Sequence, residues 1–264
     1  MAKKTATVEE QGVVVRDDNT MTMYDYGEDA GKGFEDLGKS ELSIPFVVLL
    51  QALSPIVVEE KAKAGQFFNT VTEQLWERDK GFLFVPSARR HYYAEWTPRT
   101  EGGGFHGHHL PESAEVREAI KNAQKFGKNK TPDGHDLVET FYLYGVIVDE
   151  DLLPESYAAI AFSSTKIRPY KRWITKVSMF TKGKIPLYAN LVRITSKQEE
   201  NEKGKFYVPV FSAAKENLAA SLLQKDSEPY IMGKQCAALI DSGDAVIDPN
   251  QQSAHGAVAE DEVF

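Results

Sequence analysis

Residues 137–148 have the sequence LVETFYLYGVIV. β-Branched and aromatic side chains fill this segment, and such residues are enriched in β-strands. It is the strongest strand signal in the chain, so the fold must contain a sheet. Further strands are predicted on both sides of it, at 67–72, 81–85, 89–97, 157–162, 187–195 and 206–211.

Helical patterns alternate with these strands. Apolar residues at Phe46, Leu49, Leu50 and Leu53 follow helix spacing and predict a helix from Ser43 that stops at Pro55. Other helices are predicted at 113–126, 213–223 and 230–240, while 167–180 suits a helix only if Pro169 lies near its start. The pattern indicates an α+β protein, with a small β-barrel or a curved antiparallel sheet that carries helical insertions.

Charge divides the chain into three parts. Residues 1–40 have nine acids and five bases, and residues 241–264 have six acids and no Lys or Arg. We expect a flexible acidic N-terminal segment (1–40, with a short strand at Val13–Arg16), one folded domain (41–240) and a disordered acidic tail (241–264). Within the domain, 166–205 holds eleven bases and three acids, a net charge of +8 that the whole-chain value of −8 hides.

Several features predict a cytoplasmic protein. No apolar run reaches the roughly 18–20 residues that span a bilayer, and no apolar signal-peptide core follows the N-terminus. The single cysteine, Cys236, cannot form an internal disulfide, which agrees with a reducing compartment.

Residues 166–176 interleave cations with aromatic side chains, the mixture that single-stranded nucleic acid requires. Cations offset phosphate charge, and aromatic faces stack on bases. The candidate binding residues are Lys166, Arg168, Tyr170, Lys171, Arg172, Trp173 and Lys176. The alternative is an amphipathic helix with buried aromatics and solvated cations.

Residues 89–99 repeat the mixture in an extended context. The candidates here are Arg89, Arg90, Tyr92, Tyr93, Trp96 and Arg99. On a strand, Arg90, Tyr92 and Trp96 share one face. The alternative is an edge strand with aromatics in the core. The two segments must converge on one surface to act together.

Catalytic patterns are weak. His106 and His108 could chelate a metal, but no Cys pair or HExxH motif supports them. Ser163-Ser164-Thr165-Lys166 matches S-x-x-K without its companion motifs, and no G-K-[ST] follows the glycines at 102–104. We therefore expect no catalytic residues, no metal and no cofactor.

The chain ends with three acids and a hydrophobic pair, Glu260-Asp261-Glu262-Val263-Phe264. This ending resembles bacterial and phage single-stranded DNA-binding proteins, in which an OB-fold carries an acidic tail ending in Phe. The resemblance implies an OB-like core, and it implies that Glu260, Asp261, Glu262 and Phe264 recruit replication or recombination proteins. It also implies that the tail competes with DNA for the protein's own groove. An acidic terminus that ends in Phe by chance is the alternative.

These patterns together predict a phage-type single-stranded DNA-binding protein without enzymatic activity. It would coat single-stranded DNA and recruit partners through its tail. One alternative is a metal-dependent nuclease that uses His106 and His108. Another is a phage structural or host-inhibitory protein whose acidic ends mimic DNA.

Overall fold

The computed structural model describes residues 13–17, 20–24, 32–33, 43–126, 129–202, 204–243, 245 and 247–255. The chain forms two units, Met1–Leu42 and Ser43–Phe264. In the first unit, strand β1 (Val13–Asp17) pairs antiparallel with β2 (Thr20–Tyr24). The strand predicted at Val13–Arg16 is therefore confirmed.

The second unit contains two antiparallel sheets. The smaller sheet comprises β3 (Val47–Leu49), β4 (Phe67–Asn69) and β5 (Leu75–Trp76), in the order β3-β4-β5. The larger sheet comprises β6 (Phe82–Trp96), β7 (Phe105–His109), β8 (Asp136–Val148), β9 (Pro154–Ser163), β10 (Val192–Asn201) and β11 (Gly204–Ala213). Its order is β11-β10-β6-β8-β9, and β7 also pairs with β6.

The segment 137–148 forms nearly all of β8, as predicted, and both faces of that strand are buried. Tyr142 and Tyr144 belong to one apolar cluster, whereas the alternating Phe141 and Leu143 belong to another. β8 lies between β6 and β9. A strand with both faces buried shows a nearly continuous apolar run, which explains why its sequence signal is so strong.

Five α-helices lie in the described part of the chain, beside three short 3₁₀ helices. They are α1 (Pro55–Val58), α2 (Ala114–Phe126), α3 (Ile167–Thr181), α4 (Glu228–Asp241) and α5 (Pro249–His255). α3 packs Trp173 and Val177 into the cluster of Phe141, and α4 packs Cys236 and Ile240 into the cluster of Tyr142. None of the helices described has the length and apolar character needed to cross a membrane.

Two predicted helices are wrong. Residues 47–49 form a strand, because the chain is buried on both sides there: Phe46 through Leu50 are all at most 6% exposed. An apolar run of this kind fits helix spacing and a buried strand equally well. The predicted helix at 213–223 is replaced by the end of β11 and by bends and turns at 214–221, in which the Ser221 hydroxyl accepts from Lys215 N and donates to the Asn217 carbonyl. Such side-chain bonds to the backbone compete with helix formation.

Two further expectations change. Among the described residues the strands do not close into a barrel, so the fold is α+β with antiparallel sheets. Residues 249–255, expected in a disordered tail, form α5. Asn250 Oδ1 accepts from Phe105 N at 3.0 Å, and Gln251 Nε2 donates to Ser43 Oγ at 3.3 Å.

Gly145 in β8 leads to a testable prediction about the core. A Cβ atom at this position would lie 2.2 Å from the Val85 carbonyl oxygen and 2.6 Å from the Phe84 ring. We expect Gly145→Ala to lower the free energy of unfolding by about 3 kcal/mol, because β6 and β8 must move apart. Urea unfolding measures the change. Gly107→Ala, where nothing lies within 4 Å, is the matched control. Equal stability of the two variants would contradict this packing.

Candidate nucleic-acid interface

Helix α3 presents a row of cations to solvent. Pro169 lies in its first turn, where the missing N–H has no intrahelical partner to lose, so the helix forms despite the proline. Arg168, Arg172 and Lys176 follow at intervals of four residues and are exposed. A spacing of four places side chains on one side of a helix. Among the described residues, none of the three takes part in an ion pair or a side-chain hydrogen bond.

A groove of about 490 Å³ separates this cation row from the β10–β11 hairpin. Arg168, Arg172, Trp173 and Lys176 contribute from α3. The opposite wall consists of Lys197, Glu199, Pro209, Val210 and Phe211. Lys197 Nζ lies 2.6 Å from Glu199 Oε1, so the charges of the hairpin wall compensate each other. The uncompensated positive charge of the groove therefore lies on the helix.

Two ring stacks hold α3 against the sheet. The Trp173 ring lies parallel to the Phe211 ring with centroids 4.8 Å apart, and Tyr170 stacks on Phe162 at the same distance. Trp173 is 6% exposed and Tyr170 is 1% exposed. Neither ring offers a free face to a base. α3 is thus the amphipathic helix with buried aromatics that the sequence left as the alternative.

Phe211 is the groove's aromatic surface, and sequence reasoning missed it. Its ring is half-buried and closes the groove beside Trp173. The predicted strand 206–211 contained it, but nothing in that pattern distinguished it from an ordinary core residue. Its ring contacts with Trp173 and Phe162, which are distant in the chain, identify its position.

The remaining candidates of 166–176 lie elsewhere on α3. Lys166 is 6% exposed, at the start of the helix. Lys171 points away from the groove, with Nζ 3.4 Å from Glu139 Oε1 and 4.7 Å from the centroid of the Phe141 ring. Burial raises the pKa of Tyr170, and the nearby Arg89 guanidinium opposes that rise. Arg89 is exposed and lines a separate groove with Ile174 and Ser178 of α3, so the two sequence segments meet there.

The other candidates of 89–99 make contacts that stabilise the fold. Arg90 donates to Asp241 at 2.8 Å and to the Ile240 carbonyl at 3.0 Å, at the end of α4. Tyr92 packs on His108, Tyr93 packs against the buried side of α2, and Trp96 is 7% exposed against Phe105. The side chain of Arg99 lies outside the described residues. Because these candidates are engaged in contacts within the fold, we place the candidate interface in the α3 groove.

The histidines of β7 are hydrogen-bonded to neighbours. His106 Nε2 lies 2.6 Å from Thr97 Oγ1, and His108 Nε2 lies 2.9 Å from the Tyr142 hydroxyl. Glu95 bridges His109 and His135 at 2.6 and 2.7 Å. The described residues contain no group of three His, Cys, Asp or Glu arranged to hold a metal ion. The structure therefore adds no support for the nuclease alternative.

His108 predicts an acid-sensitive contribution to stability. Burial, with a smaller effect from His109, lowers the pKa of His108 to about 4. The unfolded chain keeps the ordinary value of about 6.5, so it binds the proton first as the pH falls. We expect the free energy of unfolding to decrease as the pH falls from about 6.5 to about 4. In His108→Gln this decrease should become smaller, as urea unfolding at several pH values would show.

The exposed His106 supplies the control for this experiment. His106→Gln makes the same substitution at an exposed position of the same strand and shows what the replacement of a histidine by glutamine does by itself. An unchanged pH dependence in His108→Gln would mean that His108 titrates normally in the folded state.

The tail candidates Glu260, Asp261, Glu262 and Phe264 lie outside the described residues.

Among known proteins, no curated protein and no solved structure matches the chain significantly. A model of one protein family, described as Pam3 phage gp34-like protein, matches residues 10–246. That range includes every strand of both sheets and helices α1 to α4. The chain is therefore a phage protein that belongs to the Pam3 phage gp34-like family.

Proposed function

We propose that this protein binds single-stranded DNA in the groove between α3 and the β10–β11 hairpin. The observation that carries the proposal is the row of Arg168, Arg172 and Lys176, three exposed cations without an acidic partner among the described residues. Such a row attracts a phosphate backbone and gains free energy by releasing counterions. The half-buried Phe211 ring supplies a surface for bases.

Charge distribution also supports the proposal. The segment 166–205 has a net charge of +8, although the whole chain is acidic. Electrostatic attraction depends on local charge, since salt screens exposed charges beyond about 8–10 Å at physiological ionic strength. An acidic total therefore does not prevent binding at this groove.

An OB-like arrangement of the strands, which the resemblance implies, remains part of the proposal. Gln51 forms two hydrogen bonds with Tyr207 of β11. Its Nε2 donates to the Tyr207 carbonyl at 3.0 Å, and its Oε1 accepts from Tyr207 N at 2.8 Å. At the other end of the sheet, Phe46 forms a bridge with Ala159 of β9. These contacts bring both edges of the larger sheet to the segment 46–51, which supports an OB-like arrangement although the described strands do not close into a barrel.

A binding titration tests the proposed function. The unaltered protein should bind an unstructured DNA oligonucleotide more tightly than a duplex of the same length, with an affinity that decreases steeply as salt increases. Labelled DNA should remain intact with added Mg²⁺, Mn²⁺ or Zn²⁺. Cleavage would favour the nuclease, and absence of binding even at low salt would favour a phage structural or host-inhibitory protein. A single-stranded RNA of the same sequence determines the preference between the two nucleic acids.

Removal of the acidic ending leads to a prediction about regulation. Deleting residues 260–264 removes three acids from a chain that also carries the basic groove. We expect stability to be unchanged and affinity for single-stranded DNA to increase a few-fold, mainly at low salt, where the competition between tail and DNA is least screened. Capture of replication or recombination partners should be lost. Fluorescence titration and pull-down from infected cells measure the two effects.

Deletion of Phe264 alone is the control for charge. It should reduce partner capture while affinity for DNA barely changes, because the three acids remain. If the longer deletion neither increases affinity nor reduces capture, the resemblance of this ending to the tails of single-stranded DNA-binding proteins is accidental.

A further inference from the structure

We infer that the groove holds one strand in a defined orientation, with phosphates along α3 and bases against the β10–β11 hairpin. This inference rests on the proposed function and adds which wall contacts which part of the ligand. It follows from the difference in charge and polarity between the two walls.

The helix wall suits a phosphate backbone. Arg168, Arg172 and Lys176 form a row on one side of α3 in which each step of four residues advances by about 6 Å along the helix. This step is comparable with the separation of neighbouring phosphates in an extended strand. The row is therefore long enough for three consecutive phosphates. Arg offers two parallel N–H donors to a phosphate, so Arg168 and Arg172 can each hold one phosphate through a bidentate contact.

The hairpin wall suits bases. Its two charges form an ion pair, with Lys197 Nζ 2.6 Å from Glu199 Oε1, so a phosphate on this wall would meet a carboxylate beside the cation. The rest of the wall is apolar, from Pro209 to Phe211. Phe211 rests on Trp173, which holds its ring in place. A preordered aromatic surface loses little entropy when a base stacks on it.

This arrangement favours a single strand over a duplex. In a duplex the base faces are stacked inside and the phosphates face outward, so a duplex on the cation row would leave the apolar wall without a partner. A single strand exposes its bases and can contact both walls at once. The preference for single strands is therefore a consequence of the two different walls rather than of positive charge alone.

Cross-linking of the unaltered full-length protein tests the orientation without any substitution. Iodouracil placed in a single-stranded oligonucleotide reacts through the base on illumination. We expect the cross-linked peptide to contain Phe211 and its neighbours in β11. Cross-links restricted to the exposed cations of α3 would overturn the orientation.

Two variants test it independently. Arg172→Gln should weaken the binding of an intact and of an abasic oligonucleotide by the same factor. It should also reduce the log–log salt slope by about 0.7. Phe211→Leu, which keeps an apolar contact with Trp173, should weaken binding of the intact strand about fivefold or more and leave the abasic strand and the salt slope unchanged. Thermal melting of both variants verifies their folding.

The outcomes separate the orientation from the proposed function. If Phe211→Leu weakens binding of the abasic strand as much as binding of the intact strand, the bases do not contact the hairpin. The orientation is then wrong, although DNA still binds. If the unaltered protein does not bind single-stranded DNA at all, the proposed function fails and the orientation fails with it.

Discussion

Replacing Arg168, Arg172 and Lys176 together with Ala should reduce affinity for single-stranded DNA at least 100-fold at about 50 mM salt. Each phosphate contact on a single strand adds about 0.7 to the log–log salt slope, which corresponds to roughly eightfold in affinity at that salt concentration. The factors for three lost contacts multiply. All three side chains are exposed, so the fold should be retained. Fluorescence anisotropy with a labelled oligonucleotide measures the affinity.

A matched control removes the same charge elsewhere. Arg117 and Lys121 on α2 and Lys234 on α4 are exposed helical cations outside the groove. Their combined replacement with Ala changes net charge equally, so it should affect affinity only through weak, screened attraction. A similar loss in both triple variants would mean that binding depends on total charge and that α3 is not the contact surface.

Trp173→Ala should lower the free energy of unfolding by about 3–5 kcal/mol, the range for large aromatic residues in a core. The ring is 6% exposed, and it packs between the Phe211 ring and the apolar cluster that contains Tyr170. Its removal leaves a cavity that the surrounding strands cannot fill. Urea unfolding followed by circular dichroism measures the loss.

The control lies on the same helix. Met179 is 72% exposed, so Met179→Ala should change stability by no more than about 0.5 kcal/mol. A Trp173→Ala protein as stable as the Met179→Ala protein would show that Trp173 is not a core residue, and its role as a stacking surface for bases would have to be considered again.

Local sequence patterns predicted those parts of the fold that local chemistry determines. β8 was predicted because its residues are apolar on both faces. α3 was predicted as an amphipathic helix, the alternative to a nucleic-acid-binding segment. The long strand β6 was predicted as two strands, 81–85 and 89–97, since Pro86 interrupts the pattern. The structure accommodates Pro86 at a bulge between Pro86 and Ala88, where the pairing with β8 shifts register.

The site depended on contacts that no local pattern contains. The cations of α3 were named from the sequence, but their division between the groove and the Glu139 side follows from how Tyr170 and Trp173 are buried. Phe211 was missed, because its importance comes from a stack with a residue far away in the chain. Conversely, Arg90 and Trp96 resembled binding residues because a basic, aromatic segment has the same composition whether it contacts DNA or a neighbouring helix.

The central claim is that the α3 cation row contacts the phosphates of a single strand. It is tested most directly by the slope of log affinity against log salt, measured for the unaltered protein and for the triple Ala variant of Arg168, Arg172 and Lys176. The account predicts that the slope becomes shallower by about 2, the sum for three phosphates. If the unaltered protein and the variant both bind single-stranded DNA with equal slopes, the claim is contradicted.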